Sequence, residues 1–179
     1  MNNDIERIFF SADTIQARVK ELGEQLTKDF FGMNPLIVGI LKGSFIFMAD
    51  IIRSIDTNCE VEFMAVSSYG RGTTTTGAVK INKDLGHDIE GRHVIIVEDI
   101  LDSGLTLSYL KRYLTVRNPA SISICTLLDK SARRNADIHP DYVGFECPDA
   151  FIVGYGLDYA EKYRNLPYIG VLKPEIYER

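Results

Sequence analysis

The sequence is short of cysteine. Cys59, Cys125 and Cys147 are odd in number and far apart, and no Cys-x-x-Cys spacing occurs. Neither a zinc site nor a disulfide framework is suggested, and a reducing, cytoplasmic setting is expected. Long apolar runs are lacking too. The longest aliphatic run, Leu36–Leu41, is far below the roughly 20 residues that span a bilayer, so no membrane partner is expected. The opening MNNDIERIFF carries acids where a secretory signal would be basic and then apolar. There is no excess of positive charge. Lys and Arg number 20 against 25 Asp and Glu, a net charge of −5, so no nucleic-acid partner is expected. Local cations or a metal can still recruit a small anion. His87, His93 and His139 show no metal-ligand spacing and read as structural or surface residues.

What is present is a globular composition. The 179 residues are 45% hydrophobic and 25% charged. That is one domain's worth of chain, 1–179, able to bury a core without staples. Ser11 is placed to cap a helix, with Asp13 in its first turn. Ile15, Val19, Leu22 and Leu26 then recur at helical spacing. Gly32 and Pro35 close the segment. Residues 36–41 predict a strand buried on both faces. Lys42-Gly43-Ser44 interrupts, and a helix is expected over 45–55. Val61, Phe63 and Ala65 alternate with Glu60, Glu62 and Met64 as in a strand. Residues 68–77 are polar and Gly-rich, a loop pattern. Residues 94–97 and 122–128 predict two more buried strands, and Leu107, Leu110 and Leu114 share one helical face between them. Residues 142–145 and 151–153 predict short strands. This alternation predicts an α/β fold, a central parallel sheet flanked by helices. The chain ends are left to form a small hood.

Residues 94–106, VIIVEDILDSGLT, carry the chemistry. An apolar strand ends in two carboxylates, a third follows in a turn of small residues, and a helix starts. Ligands of an open parallel sheet bind off the strands' carboxyl ends. A turn from Asp102 to Thr106 would present backbone N–H groups at a helix N-terminus, a phosphate cradle. Ser103 and Thr106 add hydroxyl donors, and Gly104 permits close approach. Adjacent acids beside a phosphate make sense if they accept from sugar hydroxyls or share a magnesium ion. The pattern therefore points to a phosphorylated sugar with free hydroxyls.

This segment resembles the 5-phosphoribosyl 1-pyrophosphate signature of the type I phosphoribosyltransferases. Leu41-Lys42-Gly43-Ser44 resembles that family's pyrophosphate loop, and Ser68-Tyr69-Gly70 the start of its mobile catalytic loop. Leu127-Leu128-Asp129-Lys130 is similar to the strand end carrying the purine-reading lysine. Residues 151–159, FIVGYGLDY, are similar to the purine-binding stretch, and residues 163–167 to the segment after it. The matches span residues 36–167 in the family's order. Lys130 with residues 151–158 resembles the 6-oxopurine branch.

The resemblance implies transfer of 5-phosphoribosyl from its 1-pyrophosphate to a 6-oxopurine base, hypoxanthine and guanine, giving IMP or GMP and pyrophosphate. It implies Mg2+ and a homodimer or homotetramer. Glu98 and Asp99 would hold the ribose hydroxyls and ligate metal. Asp102, Ser103, Gly104, Leu105 and Thr106 would hold the 5′-phosphate. Leu105 stands where relatives often carry a basic residue, which leaves the backbone donors. Asp102 would also be the general acid/base beside purine N7; read by itself it is a helix cap. Lys42, Gly43 and Arg164 would contact pyrophosphate, with a cis peptide before Lys42. Lys130, a pure donor, would read the 6-oxo group. Phe151 would stack on the base, Ile152 would read its edge through the backbone, and Asp158 would ligate a second magnesium. Ser68 and Tyr69 would begin a lid that excludes water.

Two other readings share the fold. One is a non-catalytic regulator that senses the phosphoribosyl ligand. Such regulators usually add a DNA-binding domain or a basic face, and this acidic chain of 179 residues offers room for neither. The other is a different base, xanthine or a pyrimidine. Tyr109 and Tyr113, one helical turn apart, read as packing residues.

Overall fold

A computed structural model describes residues 1–68, 79–147 and 149–178. A six-stranded sheet has the order β4 (Val79–Lys83), β3 (Glu60–Ser68), β2 (Leu36–Leu41), β5 (His93–Leu101), β6 (Ser121–Asp129), β7 (Tyr142–Glu146). Five strands are parallel. The central parallel sheet is as expected, and β4 adds one antiparallel strand, paired with β3 at the edge. Of the β4 residues only Val79 and Ile81 are even partly buried, so its sequence lacks the continuous apolar run of its neighbours.

Two helices cover one face, α1 (Ala12–Asp29) and α2 (Phe45–Ser54), and α3 (Leu105–Thr115) covers the other. The strand period of two divides the sheet between them. Ile37, Ile95 and Val97 pack with Ile15, Leu22, Phe47 and Ile51. Leu36, Val38, Val94 and Ile96 pack with Leu107, Leu110 and Leu114. Burial on both faces is why these strands read as unbroken apolar runs. Ser11 caps α1 as expected, its side chain accepting from the Thr14 N–H at 3.2 Å. Tyr109 and Tyr113 stack with ring centroids 6.2 Å apart.

The chain ends do build a hood. It is a three-stranded sheet in the order β1 (Ile5–Phe10), β9 (Ile169–Leu172), β8 (Ile152–Val153), antiparallel throughout, followed by α4 (Pro174–Tyr177). The segment after β8 is tied back to the main sheet. Tyr155, buried, donates its hydroxyl to Asp50 on α2 at 2.6 Å, and Gln16 on α1 donates to the same carboxylate at 2.9 Å. Burial alone would raise Asp50. The hydrogen bonds from Tyr155, Gln16 and Arg53 outweigh it and hold the carboxyl below its usual value. A lowered carboxyl pKa adds stability above the unfolded value of about 3.9 and loses it as pH falls through the folded value. Asp50→Asn is therefore expected to cost about 1 kcal/mol near neutrality. The gap to the parent should close below pH 4, which thermal melts across that range will measure; a gap constant with pH would contradict the assignment.

Candidate active site

In the sheet order the chain runs outward from β2 to β3 and β4 on one side, and from β5 to β6 and β7 on the other. The switch lies between β2 and β5, where a crevice opens off the carboxyl ends of parallel strands. Lys42, Glu98 to Asp102, and Lys130 all stand at that edge because each ends one of these strands. Strand β5 runs to Leu101, so Glu98 and Asp99 lie within its last turn of pleat rather than after it.

The loop after β2 approaches β5 closely. The Leu41–Lys42 peptide is cis, as expected. A Cβ on Gly43 would fall 1.7 Å from Oδ2 of Asp99. No larger residue fits there while that carboxylate keeps its place. A Cβ on Gly156 would in turn fall 2.1 Å from the Gly43 carbonyl oxygen, and Gly156 has φ +102°.

Two cavities adjoin at Asp102. A small one of about 110 Å³ is lined by Glu98, Asp102, Ser103, Gly104 and Thr106, among others. Here Gly104 is the α3 N-cap, at φ +80°. Asp102 is thus two residues ahead of the cap, and the simple capping role fails for it. Leu105 lies at the helix start with an exposed side chain that does not line this cavity, and its backbone N–H donates to Oγ of Ser103 at 3.4 Å. The larger cavity, about 400 Å³, is lined by Ile100, Asp102, Lys130, Phe151, Ile152 and Asp158 together with Arg133, Asp149 and Tyr177. Lys130 is buried and donates to the Ala150 carbonyl at 3.1 Å. Phe151 is 38% exposed and stacks on Tyr177, centroids 4.5 Å apart. One Asp102 oxygen, Oδ1, is buried without a hydrogen-bond partner.

The third group of expected residues sits beside these cavities. Arg164 donates to the Gly156 carbonyl at 2.7 Å and pairs with Asp158 at 2.9 Å, while its buried Nε has no partner. Lys42 reaches Glu161 at 3.1 Å. Of the loop expected over 68–77, Ser68 is instead the last residue of β3, and Tyr69 with the rest of the expected lid lies outside the described residues.

The family model for the phosphoribosyl transferase domain matches residues 11–160. The chain belongs to the phosphoribosyltransferase family. It is 59% identical to the hypoxanthine-guanine phosphoribosyltransferase of Bacillus subtilis over 178 residues, 99% of both chains. It is 56% identical to the bifunctional protein TilS/HprT of Listeria monocytogenes, covering 99% of this chain but only 27% of that relative. A crystal structure of a hypoxanthine phosphoribosyltransferase from Staphylococcus aureus superposes with TM-score 0.97 at 54% identity, covering 100% of this chain and 97% of that one. A Trypanosoma cruzi hypoxanthine phosphoribosyl transferase superposes with TM-score 0.92 at 41% identity, covering 97% and 94%.

Arg134 is one residue the sequence did not announce. Its guanidinium donates to the Asp102 carbonyl at 3.0 Å and the Ile138 carbonyl at 2.7 Å, and it pairs with Asp129. The Asn135 and Ala136 N–H groups donate to the Ser103 carbonyl at 2.8 and 3.1 Å. The turn that bears Asp102 is thus fixed from outside by residues 134–136. Arg133, Asp149, Glu161 and Tyr177 were equally silent in the sequence, since no local motif or periodicity marks them.

The carboxylates also show what they could hold. Burial pushes Glu98 well above the ordinary carboxyl range, and the neighbouring Asp99 charge adds to it. Burial raises Asp99 as well, opposed by Glu98 hydrogen bonding and by Arg164. Among the described residues no group of three or more His, Cys, Asp or Glu side chains encloses a metal. Glu98 and Asp99 are adjacent hard oxygen donors that would suit a magnesium ion, which takes oxygen ligands and keeps several of its waters. Asp158 would have to release Arg164 to join them.

Proposed function

We propose that this chain transfers the 5-phosphoribosyl group of 5-phosphoribosyl 1-pyrophosphate to hypoxanthine and guanine, giving IMP or GMP and pyrophosphate. The observation that carries the reading is the position of Asp102, shared by a small cavity at a helix N-terminus and a larger one floored by a buried lysine. The small cavity suits the 5′-phosphate, held by the backbone N–H groups of residues 103–106 and the hydroxyls of Ser103 and Thr106. The larger suits the base. Glu98 and Asp99 accept from the ribose hydroxyls. Lys42, the amide of Gly43 and Arg164 bind the pyrophosphate.

As the bond from the anomeric carbon to pyrophosphate breaks, positive charge develops on the ribose ring. The nearby acids stabilise it. Purine N9 forms the new bond, and the unpartnered oxygen of Asp102 accepts the proton from N7. Glu98 and Asp99, with Asp158, would hold magnesium, which would supply positive charge on the pyrophosphate side of the site. Phe151 covers the base face, and the Ile152 backbone reads its edge. The same reading includes a cytoplasmic protein that assembles as a dimer or tetramer, with Ser68 and Tyr69 beginning a lid. A regulator that only senses the ligand would have no need for a proton acceptor facing the base cavity.

A base panel with the pyrophosphate donor and magnesium tests this, read as nucleotide formed. Hypoxanthine should give IMP, and adenine should be poor. Lys130 has only N–H donors, and an adenine 6-amino group would face it donor to donor. An unmade buried hydrogen bond costs about 1–3 kcal/mol, more when charged. Lys130→Ala should therefore lose most of the preference for hypoxanthine over adenine. A variant with the parent's ratio would remove Lys130 from base reading, and no IMP from the parent would remove the proposal.

A further inference from the structure

We infer that Asp149 sets the charge of the base cavity and so selects neutral 6-oxopurines over anionic ones, the xanthine anion in particular. The inference rests on the reading that the larger cavity takes the base. Five charged side chains line it among the described residues: Lys130 and Arg133 are positive, and Asp102, Asp149 and Asp158 negative. They are not equivalent. Asp158 is matched by Arg164 at 2.9 Å. Asp102 has one oxygen without a partner, the acceptor assigned to the base proton, and its other oxygen lies 4.0 Å from Arg133 alone of the two cations. Asp149 alone stands between the two cavity cations, with Oδ1 2.7 Å from Arg133 Nε and 3.6 Å from Lys130 Nζ.

That carboxylate decides what the cations can recruit. Lys130 does not depend on it for position, because its ammonium also donates to the Ala150 carbonyl at 3.1 Å. With Asp149 present, the positive charge of Lys130 and Arg133 is partly cancelled, and the cavity suits a neutral ring that offers an oxo group. Hypoxanthine and guanine are such rings near neutrality. Xanthine carries a second oxo group at C2 and gives up a ring proton near neutral pH, so part of it arrives as an anion. Without Asp149, Lys130 and Arg133 would attract that anion; with it, the anion meets an added negative charge. Arg133 and Asp149 are each about half exposed, at 54% and 52%, so solvent screens the effect without removing it.

The test is the ratio of kcat/KM for xanthine to that for hypoxanthine. It is measured on the parent, Asp149→Asn, Arg133→Gln and the double variant, at one pH below and one above the ionisation of xanthine. A ratio within one preparation is indifferent to the fraction of protein correctly folded. Asp149→Asn should raise it roughly tenfold above the ionisation and much less below. Arg133→Gln should lower it, and the double variant should return towards the parent. An unchanged ratio in Asp149→Asn, or a rise equal at both pH values, would overturn the inference while leaving the transferase reading intact. Failure of the parent to use hypoxanthine would instead overturn that reading, and the inference with it.

Discussion

Asp102→Asn should lower kcat by about 10²–10⁴-fold, the usual span for loss of a general acid/base. Affinity for the phosphoribosyl donor should stay close to the parent's. The geometry makes the substitution a clean one. Asp102 is not the helix cap, since Gly104 holds that place. Its backbone carbonyl is held by Arg134 at 3.0 Å whatever the side chain. Asparagine keeps the size, and the turn should keep its shape. What it loses is a carboxylate oxygen able to take a proton from the base. Glu98→Gln and Asp99→Asn form the contrast: they weaken acceptors for ribose hydroxyls and should raise the donor KM and shift its magnesium dependence. Steady-state kinetics on the three variants separate the roles. If Asp102→Asn retains kcat and shares the KM defect of the other two, Asp102 is a structural acid of the turn.

The sheet and its buried strands were legible because burial on both faces leaves a plain trace, as in residues 36–41 and 94–97. The strands that escaped notice, β1, β4 and β9, have other reasons to be strands. Of the six β1 positions only Ile5, Phe9 and Phe10 are even partly buried, so its sequence shows little alternation; it is extended because it pairs with β9. The signature at 98–106 was legible because it is local, with acids, small residues and helix start contiguous in the chain. The cavity wall was not. Arg133 and Asp149 meet across 16 residues, and Arg134 meets Asp102 across 32. Such contacts are made by topology, and a lone arginine or aspartate has no pattern by which to announce them. Family resemblance supplied Lys130 and Phe151, which bare composition would have assigned to a surface and a core. The partners that hold Lys130 became visible only with the fold.

Gly156→Ala should destabilise the protein by about 3 kcal/mol or more and raise the donor KM. Two independent effects add. A φ of +102° is costly for any residue with a Cβ, by about 1–2 kcal/mol. The new methyl would also fall 2.1 Å from the Gly43 carbonyl oxygen, and forcing extra atoms into a filled space costs about 1–3 kcal/mol. Gly43 cannot simply recede, because its own Cα faces the Asp99 carboxylate too closely for any side chain. The segment bearing Gly156 must therefore move, and its carbonyl is the 2.7 Å acceptor for Arg164. Displacing it disturbs a cation assigned to pyrophosphate and the neighbouring Asp158, while Lys130 stays at the end of β6 and Ile152 on β8. Donor binding should suffer more than base binding. A control separates strain from contact: Gly32 also has positive φ, +73°, but a Cβ there meets nothing within 4 Å. Gly32→Ala should cost only the conformational part, about 1–2 kcal/mol. At about 2–4 °C per kcal/mol for a chain of this size, the two melting temperatures should be resolved. Equal losses in both variants, with an unchanged donor KM in Gly156→Ala, would show that the close approach of Gly156 to Gly43 does not hold the pyrophosphate side of the site together.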